Sequence, residues 1–411
     1  MTEPEITQSQ EKLEPKERVA HSFRTLRELI DHVAGKSLPP LAPEDGRLSE
    51  PLPFPFLAIV GQQEMKLALL LGLINPHIGG ILLVGPRGTA KTTAVRSLLD
   101  LLPEVERSTC YYGCLPEDIE IGGIGVVCPD CAKKYGEGQP LTAPDKVRLV
   151  ELPLNARLED VVGSIDERAA IHERMRIRRG ILAQADLNLL YIDEINLLGD
   201  DIVDSILDAA AQGSYTVRRG PVVATYRSRF VLIGSMNPEE GRLRPQILDR
   251  FGLRVIVRGL EDADERLEAY RRVQVYLTNP RQMADQFSAD MEAAAAEIRA
   301  ARELVSKVLI PDSVANPAIQ LVQKMGIDSL RAEITWFESA RAYAAADARQ
   351  EVTVDDLKAV APMALRLRRS QFMSEYLQGQ LLEEKEMSSL LEGFDRRDKT
   401  RTKTKRLSKK K

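Results

Sequence analysis

The chain has 411 residues, 44% hydrophobic and 29% charged, with a formal net charge of −4. This length exceeds one compact domain, and the balance excludes collagen-like, coiled-coil and wholly disordered classes. Residues 396–411 hold ten Lys or Arg against one Asp, a local +9 that leaves −13 for the rest, so the folded body offers no basic face to nucleic acid.

Residues 1–52 contain six prolines, many charges and one apolar patch at helical spacing, Phe23, Leu26, Leu29, Ile30 and Val33. This reads as an extension with one docking helix, or as a solvated leader whose helix packs on the body. The acidic start lacks the basic and apolar regions of a secretory signal, so a cytoplasmic location is expected. The most apolar stretch, residues 67–84, is interrupted by Asn75, Pro76, His77, Gly79 and Gly80. It fails as a membrane span and reads as a helix, a turn and a buried strand.

From Ile81 the pattern alternates apolar runs with helical segments: ILLVG, a helix from about Lys91, then LLYID, FVLIGS and LRVIV. Strands apolar on both faces, separated by helices, imply a parallel sheet covered on both sides. Residues 213–230 read as a β-hairpin ahead of the FVLIGS strand, with Gly220 and Pro221 at its turn. After about Gly259 the pattern is helical, over 260–278, 281–308, 312–326, 331–349 and 353–370, with Thr353 and Asp356 set as a capping box. The expected domains are 1–52, an extension with one amphipathic helix; 53–259, an α/β core with a cysteine-rich insertion at 108–140; 260–370, a helical domain; and 371–411, a helix and a basic disordered tail.

The loop Gly85, Pro86, Arg87, Gly88, Thr89, Ala90, Lys91 and Thr92 follows the strand ILLV and opens a helix, the context that makes a G-x4-G-K-[ST] match specific. Loop amides and the helix start would face phosphate oxygens, Lys91 would neutralise β- and γ-phosphates, and the Thr92 hydroxyl would ligate Mg2+. Ala90 departs from the glycine often found before the lysine, so its methyl group must not crowd the phosphate. The strand LLYI ends in Asp193 and Glu194, the first suited to holding Mg2+ through water and the second to polarising an attacking water. Asn237, past the FVLIGS strand, would position that water, or serve the turn before Pro238. Arg244, Arg250 and Arg254 flank Asp249; one would reach a neighbouring subunit's γ-phosphate, or form a surface ion pair.

All four cysteines, Cys110, Cys114, Cys128 and Cys131, fall in the pattern C-x3-C-x13-C-x2-C. This suits a structural Zn2+ site, with free thiols and a redox-switched pair as the rival readings. The four histidines are dispersed and propose no metal site. The basic tail would attract an acidic partner, or remain a solvated end.

The segments FPFLAIVGQQEMKLALLLGLINPHIGGILLVGPRGTAKT, YIDEINLL, GSMNPEEGRLRPQILDRFGL and SLRAEIT closely resemble the I subunit of magnesium chelatase, over residues 54–369. The resemblance implies an α/β AAA+ P-loop NTPase core with a parallel sheet, a β-hairpin insertion before sensor 1 and a C-terminal helical lid domain. It implies ATP and Mg2+ as cofactors. It also implies a homo-oligomeric ring, expected to be a hexamer, that engages a D-type AAA+/von Willebrand A subunit. Together these drive a porphyrin-binding large subunit, on which Mg2+ enters protoporphyrin IX for chlorophyll or bacteriochlorophyll. By motif position, Lys91 and Thr92 bind MgATP, Asp193 and Glu194 form the Walker B pair, and Asn237 is sensor 1. Arg250 stands as the arginine finger acting in trans, and Arg331 as the sensor 2 residue of the lid. Residues 153–180 match an insertion that interrupts helix 2; this and the hairpin resemble parts that project toward partners. A rival reading is a chaperone-like ATPase similar to MoxR proteins, working with a von Willebrand A partner to remodel or metallate another protein. A DNA-dependent motor, the third, is opposed by the acidic body.

Overall fold

The computed structural model describes residues 52–165, 177–220, 222–241 and 243–368. The patch at 23–33, the centre of the 153–180 insertion, Pro221 of the hairpin turn and the tail from 371 lie outside the described residues.

Among the described residues the first elements are α1 (Gln63–Ile74), β1 (Gly80–Val84) and α2 (Lys91–Arg96). A module follows, made of β2 (Val105–Ser108), α3 (Pro116–Gly122), α4 (Pro129–Gly136) and β3 (Thr142–Asp145), with β2 and β3 antiparallel. Next come β4 (Leu149–Glu151), α5 (Leu158–Val162), β5 (Gly163–Ile165), β6 (Ile177–Arg179) and α6 (Ile181–Gln184). Thus two short helices flank an antiparallel ribbon, β5 with β6. The core continues with β7 (Leu189–Ile192), α7 (Asp200–Gln212), the hairpin β8 (Ser214–Arg219) and β9 (Val222–Arg227), β10 (Val231–Met236), α8 (Pro245–Arg250) and β11 (Phe251–Ile256). Among the described residues five helices follow: α9 (Ala263–Thr278), α10 (Pro280–Leu304), α11 (Asp312–Lys324), α12 (Arg331–Ala346) and α13 (Val354–Leu365).

The central sheet is parallel, in the order β11-β1-β10-β7-β4. Successive strand residues feed opposite faces, as the two-residue repeat of a pleated strand requires. Ile81, Leu83, Leu189 and Tyr191 enter one apolar cluster with α1 and α2; Leu82, Val84, Leu190 and Ile192 enter another with α7 and α8. The sheet, hairpin and helical lid expected from the sequence are therefore present. The edge strand β4 was not expected; it is three residues long and only partly buried, too short and too wet to leave an apolar run.

The helices start and stop for local reasons. Thr353 caps α13 by a reciprocal exchange with Asp356, whose carboxylate accepts the Thr353 amide at 2.7 Å. α7 begins with Asp200 and Asp201 against its positive end and stops at Gly213, whose φ of 66° suits glycine. In α12, small buried residues Ala332, Ala340 and Ala344 allow close packing around Trp336, whose indole N–H donates to the Leu357 carbonyl at 2.8 Å. The same apolar cluster runs from β1 and α1 into α12 and α13, so the lid is seated on one face of the sheet. Polar contacts fix the seat: the Asn75 amide donates to the Glu338 carboxylate at 2.7 Å, and Arg366 pairs with Glu64 at 2.6 Å. Among the described residues, no helix is long and apolar enough to cross a membrane.

Candidate active site

The carboxyl ends of β1, β7 and β10 meet at one cleft, where ligands bind in open α/β sheets. Its cavity of 210 Å3 is lined by the loop from Arg87 to Thr93 together with Asp193, Glu194, Ser235 and Asn237. Glycine is required where the loop leaves β1, because a Cβ on Gly85 would lie 2.1 Å from the Val257 carbonyl oxygen. Ala90 takes the left-handed conformation with φ 62°, which explains why glycine is common there and costs an alanine roughly 1 kcal/mol. Ala90→Gly is accordingly expected to leave nucleotide affinity unchanged and to raise stability by about 0.5 kcal/mol. Urea unfolding with and without nucleotide checks this; a destabilised variant would mean that the methyl group makes a needed contact.

Lys91 is buried, and its ammonium donates to the Gly85 and Pro86 carbonyls at 2.8 and 2.7 Å. Burial lowers its pKa, against the pull of Asp193, Glu194 and Glu240. Thr92 Oγ1 lies 3.3 Å from Asp193 Oδ2. The other oxygen of Asp193 accepts from the Tyr191 phenol at 2.9 Å and from the Ser235 hydroxyl. Burial, with Asp193 adding to it, pushes the Tyr191 phenol up to about 12, so it stays a donor and holds the carboxylate in place. Tyr191 and Ser235 have no role in the sequence reading; their hint is polar atoms at the ends of buried strands.

Glu194 sits in the left-handed region, φ 52°, with its amide donating to Ser235 Oγ at 3.1 Å. A glutamate held there carries a cost of order 1 kcal/mol. Its Oε1 accepts twice from Arg87, at 3.1 and 2.9 Å, and Arg87 also pairs with Glu240. The Asn237 side-chain oxygen accepts the Glu239 amide at 3.3 Å. The turn role thus uses its carbonyl end, leaving the NH2 end as a donor at the cavity wall.

Arg250 and Arg331 are not among the lining residues. Arg250, at the end of α8, pairs with Asp208 at 2.7 Å and Asp204 at 3.7 Å on α7, and Arg244 pairs with Asp200 and Asp204. Arg331 reaches Asp249 at 3.4 Å. Asp249 also accepts from the Ser329 hydroxyl at 2.9 Å and from Arg368 at 3.1 Å, with Arg254 at 3.7 Å. Arg254 and Arg368 are fully buried, and burial first, then each guanidinium's like-charged neighbours, works against their charge. Asp249→Ala would leave two buried arginines face to face, and is expected to cost roughly 3 kcal/mol. Arg331→Ala, at an exposed pair, is expected to cost under about 1 kcal/mol. Urea denaturation midpoints check both; equal losses would remove Asp249 from its place as the hub between α8 and the lid.

The donor set fits MgATP: loop amides and an ammonium for phosphate, with a hydroxyl and a carboxylate oxygen side by side for a hard cation. A parallel sheet with this loop, an acidic strand end and a helical lid defines an AAA+ ATPase. The AAA lid domain family model matches residues 316–386. The chain is 44% identical over 335 residues to the magnesium-chelatase subunit ChlI homolog of Methanocaldococcus jannaschii, covering 80% of this chain and 90% of that relative. It is 40% identical over 318 residues to the magnesium-chelatase subunit ChlI of a Synechocystis species, covering 77% and 88%. A BchI–BchD magnesium-chelatase complex based on single-particle cryo-EM aligns with a TM-score of 0.45 and 40% identity, over 79% of this chain and 99% of its own. The chain belongs to the magnesium-chelatase ChlI family, and it is an ATPase that uses ATP and Mg2+. The MoxR-like alternative is not favoured.

Proposed function

We propose that the chain hydrolyses MgATP at sites shared between neighbouring copies in a ring, and that a D-type partner couples this work to Mg2+ insertion into protoporphyrin IX on a separate subunit. One observation carries the shared site. Among the described residues lining the cavity, Lys91 and Arg87 are the cationic groups, and Arg87 is already paired with Glu194 and Glu240. Charge that builds on the γ-phosphate during transfer needs a further cation, and Arg250 of an adjoining copy supplies it in this reading.

Asp193 and Thr92 would hold Mg2+, which when bound would supply electrostatic stabilisation of the phosphate charge. Asp193 is fixed by Tyr191 and Ser235, with Thr92 beside it, and would face that ion. Lys91 exchanges its loop carbonyls for phosphate oxygens. Glu194 accepts the proton of the attacking water, which the Asn237 NH2 group helps to orient. Arg331 of lid helix α12, paired with Asp249 of α8, links the lid to the nucleotide-binding core.

The test is reconstitution with a D-type subunit and a porphyrin-binding subunit, reading magnesium porphyrin fluorescence. Product that requires this chain and ATP is expected. Steady ATP hydrolysis without product, alongside partners proven active with another I subunit, would assign the motor to a different target.

A further inference from the structure

The module between α2 and β4 brings four sulfur atoms together. The Sγ atoms of Cys110, Cys114, Cys128 and Cys131 all lie within 4.8 Å of one another, and no disulfide joins them. Metal–sulfur bonds of about 2.3 Å in a tetrahedron place sulfurs about 3.8 Å apart, so the cluster is near that geometry. A disulfide would instead draw one pair to about 2.05 Å. Two sulfurs already accept backbone amides, Cys110 Sγ from the Cys114 N–H at 3.3 Å and Cys114 Sγ from the Cys128 N–H at 3.4 Å. The Ser108 hydroxyl donates to Cys110 Sγ at 3.4 Å. Such donors suit thiolates held by a cation.

The module has little else to hold it. Its apolar cluster has five buried members, Cys114, Ile119, Val127, Cys131 and Leu141, and two of those are cysteines. Ile121, Ile124 and Val126 face outward. A core this small needs a cross-link or a metal.

We propose that the four cysteines bind one structural Zn2+ as a tetrathiolate site. The proposal stands apart from the chelatase reading, since it concerns a module outside the nucleotide cleft. The ion also sets the β8–β9 hairpin and the β5–β6 ribbon. Asp118, four residues past Cys114, pairs with Arg227 of β9 at 2.5 Å, and the Tyr111 carbonyl accepts from Arg179 of β6 at 3.0 Å. Losing the metal frees both anchors.

The experiment is metal analysis of the full chain purified under reducing conditions, after incubation with Zn2+ and removal of loosely bound ion. About one zinc per chain is expected, with the four thiols unreactive until a mercurial releases the metal. Co2+ in its place is expected to give the visible bands and thiolate charge transfer of a tetrahedral sulfur site. Cys128→Ser is expected to lose the zinc and to speed amide exchange in β8 and β9 by about tenfold or more. Because the Co2+ spectrum is read on the unaltered chain, it decides the matter even if the variant misfolds. Substoichiometric zinc after reconstitution at neutral pH, iron in its place, or a disulfide in freshly reduced protein would each overturn the assignment.

Discussion

Arg250→Ala is expected to lower ATP turnover by about 10^3-fold while leaving ATP affinity nearly unchanged. The magnitude separates two readings of the same side chain. As a surface ion pair with Asp208 and Asp204, Arg250 would contribute at most about 1 kcal/mol to stability and nothing to turnover. As a cation meeting a neighbour's γ-phosphate, it would stabilise charge present only in the transition state, so binding survives and rate does not. Mixing provides the sharper measurement. Arg250→Ala copies combined with Lys91→Ala copies are expected to recover part of the activity, because some interfaces then pair an intact loop with an intact arginine. Full activity of the single variant, or no recovery in the mixture, would end the shared-site account.

Glu194→Gln is expected to slow hydrolysis by roughly 10^2- to 10^4-fold and to keep nucleotide binding. The amide has the carboxylate's shape but cannot take the water's proton. The substitution also weakens the hold of Arg87, whose two hydrogen bonds fall on Oε1. If Arg87 were the main control on the site, the variant would bind ATP differently, and a change in affinity larger than the change in single-turnover rate would show it. Rapid-quench measurements beside nucleotide titrations separate the two.

The nucleotide cleft was largely legible in the sequence because its parts are local. A strand, a glycine-bearing loop and a helix follow one another from Ile81 to Arg96, and Asp193 and Glu194 stand at the end of a run buried on both faces. The glycine-poor position 90 was legible as a departure, though only its φ shows what the departure costs. The contacts that hold the site were not legible. Tyr191 and Ser235 converge on Asp193 from two strands that are paired in space and 42 residues apart in sequence. The hub at Asp249 is less visible still, since Arg368 meets it across 119 residues and leaves no pattern in either neighbourhood. Periodicity reports which face of an element is buried; it does not report which polar atoms find each other there. The four cysteines lie between the two cases: their spacing suggested a cluster, and the fold closes the 13-residue gap between Cys114 and Cys128.

The antiparallel pairing of β2 with β3 makes the cysteine module a cassette. Ser108 and Thr142 are register partners, so the polypeptide leaves and re-enters the ATPase at neighbouring points about 5 Å apart. A two-residue Asn-Gly turn joining them would close the ribbon and excise residues 109–141. Every strand of the central sheet would keep its neighbours. What would vanish are the Asp118–Arg227 pair and the Arg179 bond to the Tyr111 carbonyl, so such a truncated enzyme would separate the hydrolysis of ATP from the steering of the β8–β9 hairpin and the β5–β6 ribbon.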